Sequence, residues 1–198
     1  MSQHDREQLR KQLRAQRNAI NSSSSASKSI AICHQLEELL TDAHHVAAYY
    51  ALGNEVDLST IINAMEARNK QAYVPVVLPH FQMQFAPVDQ HTPLTVNQYG
   101  IKEPQVDASR LVEPMQMDVV LVPLVGFDKQ CNRMGMGGGY YDRNFADRLE
   151  VAPPPLLIGV AYDSQCVKTV YPEAWDVALD RIVTETRILT NPYRRKSE

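Results

Sequence analysis

A chain of 198 residues, 44% hydrophobic and 22% charged, has the apolar material for one sizeable core and too little length for two ordinary domains, which excludes wholesale disorder. Twenty Lys and Arg against 23 Asp and Glu leave a net charge of -3, so no global field marks a nucleic-acid or membrane surface. No apolar run approaches the roughly 20 residues of a spanning helix. The charged start MSQHDREQLRKQLR lacks the apolar stretch of a signal peptide. Cys33, Cys131 and Cys166 are an odd number without CxxC spacing. That suits a reducing, cytoplasmic setting better than a disulfide framework or a cysteine-rich zinc site.

Residues 6–20, REQLRKQLRAQRNAI, have helical periodicity. At 100° per residue Leu9, Leu13 and Ile20 form one narrow stripe, with Arg6, Arg10 and Arg17 immediately beside it. Two readings stay open on pattern alone: arginine stems covering apolar surface, or a cationic edge over an anionic ligand. The polar run 21–25 ends this helix and can supply a cap for the next, whose stripe is Ile30, Cys33, Leu36 and Leu40. Cys33 therefore reads as core rather than as a reactive thiol. His34 and the pair His44 and His45 show no metal-ligand spacing and read as surface or structural histidines.

Residues 45–52 are a strand candidate, followed by the loop Gly53-Asn54-Glu55 and a helix over about 58–68. Further strands are expected over 72–78 and 83–88, and 89–116 reads mostly as loop. Residues 119–125 are apolar on both faces, the pattern of a buried parallel strand. A helix over about 139–150, a strand over 156–162 and a last strand over 181–189 precede a polar tail at about 191–198. Apolar strands alternating with amphipathic helices, with no internal repeat, predict a single α/β domain, residues 1–198. Its sheet is expected to be open, largely parallel and flanked by helices.

Four of the eight glycines fall within five residues: Gly135, Gly137, Gly138 and Gly139. The stretch RMGMGGGYYDR runs from Arg133 to Arg143, after a predicted buried strand and into a predicted helix. Glycines there let backbone amides approach a ligand, and a helix N-terminus attracts anions. Flanked by Arg133 and Arg143, the loop predicts a phosphate cradle. It is not a Walker loop, since no Lys-Ser or Lys-Thr follows the last glycine, and its spacing differs from the dinucleotide fingerprint. Asp142 could simply complement a helix dipole. Beside a phosphate nest a bridging Mg²⁺ is the more economical reading, with Asp176 or Asp180 as second ligand. All six histidines lie at or before His91 and no GxSxG occurs, which leaves a Ser-His-Asp hydrolase without its parts. The chemistry must lean on positioning and electrostatics, the means of phosphoryl transfer.

The run VPLVGFD at 122–128, continuing through NRMGMGGGYYDR at 132–143, closely resembles the signature of 5-formyltetrahydrofolate cyclo-ligases (methenyltetrahydrofolate synthetases). The Arg10-containing first helix, Tyr50 with Glu55-Val-Asp57, Gly100-Ile-Lys-Glu103-Pro, Gly159 with Gln165, and Asp176 with Asp180 agree with that pattern in order. The resemblance thus spans nearly the whole chain. It implies an enzyme, a ligase, on an open α/β sheet of the ribose-phosphate isomerase and CoA-transferase type. The implied activity converts 5-formyltetrahydrofolate and MgATP into 5,10-methenyltetrahydrofolate, ADP and phosphate. The formyl oxygen takes the γ-phosphoryl group, N10 attacks the activated carbon, and phosphate leaves.

By this resemblance Arg6 and Arg10 contact ATP phosphates. Arg133, Gly135, Gly137, Gly138, Gly139, Tyr140 and Tyr141 form the nucleotide loop, with Arg133 and Tyr141 as catalytic groups. Asp142 and Asp176 fall at the magnesium positions. Tyr50 and Glu55 fall where the family holds the folate, with Met136, Gly137, Gly138, Gly139 and Tyr140 lining the same site. Three positions depart from the usual pattern: Arg6 stands for a lysine, Cys131 for a glycine and Met134 for a leucine. None removes a catalytic group, although Arg6 turns a point donor into a fork. The expected partners are 5-formyltetrahydrofolate and ATP, with no nucleic acid, no membrane and a monomeric state. Two alternatives stand beside this: a sugar-phosphate isomerase or acyl-CoA enzyme on a related sheet, and a non-catalytic nucleotide- or folate-binding module.

Overall fold

In the computed structural model, which describes residues 3–97 and 100–193, the arginine-rich start is α1 (Gln3–Asn18). Asn21 then caps α2 (Ser22–Leu39), its side-chain oxygen accepting from the Ser24 amide at 2.8 Å. The polar run at 21–25 thus follows the end of α1 and supplies the cap of α2, as expected, with its serines forming the first turn. The buried stripe of α2 is Ser29, Ile32, Cys33 and Leu36, while Ile30, expected in the core, is 67% exposed. Ser29 explains the rotation. Its hydroxyl shares a hydrogen bond with Tyr162 Oη at 3.4 Å and accepts from the Asp57 amide at 3.1 Å, so a polar side chain has paired partners inside.

The chain continues through β1 (His45–Ala47), α3 (Ser59–Ala67), β2 (Gln71–Val77) and β3 (Met83–Val88). A small hairpin of β4 (Leu94–Val96) and β5 (Lys102–Pro104) precedes β6 (Val119–Pro123). A two-strand ribbon, β7 (Gly126–Phe127) and β8 (Arg133–Met134), leads to α4 (Tyr140–Asn144). β9 (Leu156–Val160), β10 (Arg181–Val183) and β11 (Ile188–Thr190) complete the series. Seven strands form one sheet in the order β11-β10-β9-β6-β1-β2-β3. The inner pairs are parallel and the two edge pairs antiparallel.

β6 sits between β1 and β9 and is covered on both faces. Val119 and Leu121 join the core with Ile32, Leu36 and Ile61 of α2 and α3, while Val120 and Val122 meet Phe85, Phe127 and Phe145 on the other side. Two-sided burial is why this strand reads as an unbroken apolar run.

Three expected elements differ. The strand over 45–52 is regular only to Ala47; the Ala48 amide still donates to Tyr73 O at 2.8 Å, after which the chain peels off. The helix over 139–150 is five residues of α4 and a 3₁₀ turn (Ala146–Leu149), broken at Phe145. Phe145 is 1% exposed, so driving that ring into the core takes precedence over helix continuity. The strand over 181–189 is a hairpin. Thr184 closes its turn, donating from its amide to Arg187 O at 3.0 Å and accepting from the Arg187 amide at 3.2 Å on Oγ1.

The β7–β8 ribbon, which separates β6 from the glycine run, is also where α1 docks. Leu13 packs with Val125, Met134 and Val170, and a Cβ on Gly126 would lie 2.4 Å from Leu13 Cδ1. Only a glycine allows that approach. Cys131, at the ribbon's turn, is buried with φ +63° and its amide donates to Asp128 O at 3.1 Å. The left-handed turn is thus kept without a glycine, at a cost of about 1–2 kcal/mol. Among the described residues no helix is long and apolar enough to cross a membrane.

Candidate functional site

Parallel strands β1 and β6 end on the same edge of the sheet, the place where open α/β sheets bind ligands. The chain leaving β1 brings Tyr49, Tyr50, Leu52 and Glu55 to a cavity there of about 550 Å³. Pro75, Val77 and Met83 of the β2–β3 hairpin and Ile101 and Lys102 of the β4–β5 hairpin form a second wall. The glycine loop supplies Gly135, Met136, Gly138 and Gly139, with Tyr140, Tyr141, Asp142, Arg133, Pro123 and Arg14 closing the site. Tyr50, Glu55, Met136, Gly138, Gly139 and Tyr140 are therefore together as expected. Gly137 does not line the cavity; at φ +103° it turns toward α1, where a Cβ would meet the Arg10 guanidinium at 3.8 Å.

Glu55 is held rigidly. Arg17 Nη1 donates to its Oε1 at 3.2 Å and the Leu52 amide to its Oε2 at 3.0 Å, while Arg17 also donates to Leu124 O at 3.3 Å. The two side chains are 4% and 9% exposed. Removing one partner of such a buried pair costs about 3–5 kcal/mol, so the carboxylate stays fixed with its remaining lone pairs available. Beside it the Tyr49 hydroxyl is buried without a hydrogen-bond partner among the described residues, a state that costs about 1–3 kcal/mol. The Tyr141 ring lies nearly parallel to Phe145 at 6.1 Å. Burial first, then the Glu55 charge, pushes its phenol far above the usual value, with Arg133 pulling the other way. Tyr141 is a neutral donor.

The arginines of α1 meet the other side of the glycine loop. Arg10 Nε donates to Gly135 O at 3.0 Å across 125 residues of sequence. Arg6 donates from Nη2 to Asp176 Oδ2 at 2.8 Å and pairs with Glu173 at 3.3 Å. Arg133 is buried, donating from Nη2 to Asp142 Oδ1 at 2.7 Å and from Nη1 to Val177 O. Asp142 Oδ1 also accepts from the Val177 amide at 3.0 Å, which brings the residue after Asp176 onto Asp142. Arg143 does not flank the loop's interior as expected. It donates to Gly138 O at 2.6 Å and lies over the Phe81 ring at 4.4 Å.

Two expectations need correction. α4 has only five residues, too short for a substantial macrodipole, so any anion site here rests on loop amides and Arg10. Asp180 is not a metal candidate: it is 4% exposed, accepts twice from Arg148 at 3.0 Å and takes the Leu157 amide at 2.8 Å.

Asp142 and Asp176 suit a Mg²⁺. Each spends one oxygen on the protein, Oδ1 of Asp142 and Oδ2 of Asp176, leaving the other without a partner among the described residues. Nearby, Arg6 Nε is buried and unpaired. No cluster of three or more His, Cys, Asp or Glu able to hold a metal occurs among the described residues. Two carboxylates completed by water and phosphate oxygens are the usual Mg²⁺ arrangement.

Residues 2–185 match the sequence model of the 5-formyltetrahydrofolate cyclo-ligase family. The chain belongs to that family. A 5-formyltetrahydrofolate cyclo-ligase of Haemophilus influenzae is 33% identical over 159 residues, 74% of this chain and 83% of that protein. One from Escherichia coli K12 is 32% identical over 148 residues, 74% and 80% of the two. The solved 5,10-methenyltetrahydrofolate synthetase of Aquifex aeolicus superposes with a TM-score of 0.80 at 28% identity, covering 98% of this chain and 96% of its own. That of Mycoplasma pneumoniae gives 0.71 at 28%, covering 91% and 99%. This family member is accordingly an enzyme, a ligase, with the mostly parallel sheet of the solved synthetases.

Several site residues of this family member were not singled out from sequence. Tyr49 adjoins Tyr50 and is the one buried at 4%; two adjacent tyrosines at a strand end signal that one faces inward, without saying which. Arg14 lies on the cavity side of α1, one helical turn from Arg10 and Arg17. Arg17 showed beside the apolar stripe, but its Glu55 partner is visible only in three dimensions.

Proposed function

We propose that the chain converts 5-formyltetrahydrofolate and ATP, with Mg²⁺, into 5,10-methenyltetrahydrofolate, ADP and phosphate. The observation that carries this is one loop with two sides: Arg10 grips Gly135 while Gly135, Met136 and Gly138 line the cavity that contains Glu55. A phosphoryl donor on the α1 side and a folate in the cavity meet across that loop.

Glu55 accepts from the ring N–H and the amino group of the reduced pterin, and the Leu, Val, Pro, Met and Tyr walls suit its flat aromatic remainder better than a polyhydroxylated sugar phosphate. The formyl oxygen attacks the γ-phosphorus and ADP leaves. N10 then attacks the formyl carbon, the carbon–oxygen bond breaks, phosphate departs with the former formyl oxygen, and N10 gives up its proton. Arg10 offsets charge on the transferring group, and the neutral Tyr141 phenol donates to oxygens on which charge accumulates. Asp142 and Asp176 would hold the Mg²⁺, whose bound charge neutralises the ATP phosphates.

The test is purified protein with 5-formyltetrahydrofolate, Mg²⁺ and ATP, followed by the methenyl chromophore and by ADP. One ADP per methenyl product, and no product without ATP, is expected. ADP release uncoupled from methenyl formation, or product without nucleotide, contradicts the reading.

A further inference from the structure

Tyr49 leaves the sheet where the chain peels away from β1, is 4% exposed and shares the cavity wall with Glu55. Its hydroxyl has no partner among the described residues, and two of its polar neighbours, Glu55 and Tyr162, are committed elsewhere. Glu55 accepts from Arg17 and from the Leu52 amide, and Tyr162 shares a bond with Ser29 and donates to Glu55 O. A phenylalanine would fill the same volume and leave no buried hydroxyl unsatisfied. Burial, then the charge of Glu55 and the nearby Tyr141, holds the phenol well above its usual pKa, so it stays protonated and able to donate.

The ligand that Glu55 suits supplies the missing partner. A reduced pterin presents an amino group and a ring N–H, both donors, followed on the same edge by a carbonyl oxygen. A carboxylate reads the two donors, and the third position needs a donor from the protein. We propose that Tyr49 is a specificity-determining residue that donates its hydroxyl hydrogen to this pterin carbonyl, beside the edge that Glu55 accepts. The inference rests on the folate reading of the cavity and adds a residue and a discrimination to it: pterins with the carbonyl bind, and against analogues carrying an amino group there Tyr49 adds a clash of two donors to the loss of the ring N–H opposite Glu55.

The test uses the full chain and Tyr49→Phe. Steady-state kinetics are combined with inhibition by tetrahydrofolate and by its 4-amino-4-deoxy analogue, which exchanges that carbonyl for an amino group and also loses the adjacent ring N–H, and with thermal melting. Tyr49→Phe should raise the folate KM about tenfold, leave the ATP KM within about twofold, and melt no lower than wild type. The wild-type preference for the carbonyl ligand over the amino one should shrink in the variant, the part that remains reporting the ring N–H lost opposite Glu55. An unchanged preference overturns the assignment whatever the melt shows, and so does an unchanged folate KM. A variant that fails to fold overturns it too, since the hydroxyl would then have a structural partner. A wild-type protein that makes no methenyl product defeats the proposed function itself, whereas a competent wild type with an indifferent variant defeats the Tyr49 assignment alone.

Discussion

Asp142 uses one oxygen in folding and leaves the other for the cation proposed above. Oδ1 satisfies the buried Arg133 guanidinium and the Val177 amide, while Oδ2 is left for a cation. Asp142→Ala therefore cannot be silent in folding. Leaving Arg133 half-paired should cost roughly 2–4 kcal/mol, or about 5–15 °C in Tm for a chain of this length, besides abolishing turnover. Asp142→Asn keeps the Oδ1 acceptor and should melt close to wild type while losing activity at least about 100-fold. Calorimetric melts beside the chromophore assay check both, and an active Asp142→Asn protein ends the metal role. Glu55→Gln keeps an acceptor for Arg17 but would weaken the proposed pterin contact; the folate KM should rise, or kcat fall, by at least about tenfold, with ATP affinity near wild type. Damage to ATP binding with folate binding spared would show that the site is not divided into these two ends.

At the scale of elements, α1 links the two halves of the site. Its apolar stripe was legible from spacing, and Leu13 is indeed buried. What spacing could not show is the fate of each arginine: Arg6 pairs with Asp176 and Glu173, Arg10 grips Gly135, and Arg17 is buried on Glu55. Periodicity places a side chain relative to its own helix, and these partners lie far along the chain. Arg10→Ala should weaken a non-hydrolysable ATP analogue about tenfold or more in isothermal titration while sparing folate; unchanged ATP affinity would remove Arg10 from the phosphate site. Gly126→Ala tests the docking itself. A Cβ there collides with Leu13 at 2.4 Å, so α1 should shift from the ribbon, moving both Arg10 and Arg17, and ATP and folate affinity should fall together. Loss of neither would mean that this docking does not position the site.

At the scale of the molecule, the sheet was legible where burial is two-sided or strictly patterned. Residues 119–125 read as a buried parallel strand, which is regular over Val119–Pro123, and 83–88 form a strand with the expected bounds. The β10–β11 turn escaped because it contains no glycine or proline and closes through Thr184. The β7–β8 strands are two residues each, below the length at which a period of two can show. The glycine motif revealed the loop but not the ribbon that carries it. The same buried packing sets an alkaline limit to stability. Burial, then neighbouring carboxylates, raises the Cys33 thiol from 9.0 to about 11 and that of Cys131 from 9.0 to about 12. Thiols with raised folded values contribute stability that is complete below the unfolded pKa and lost as pH rises through the folded ones. Tm should therefore hold to about pH 9 and fall toward pH 11–12, with a shallower fall in Cys131→Ala; a Cys131→Ala slope equal to wild type would contradict this.

The phosphoryl step itself is tested most directly by isotope. 5-Formyltetrahydrofolate carrying ¹⁸O in its formyl group is turned over with unlabelled ATP in ordinary water, and the inorganic phosphate is analysed by mass. Transfer of the γ-phosphoryl group to the formyl oxygen predicts one ¹⁸O in each phosphate released. Unlabelled phosphate, with the ¹⁸O appearing in water, would contradict it.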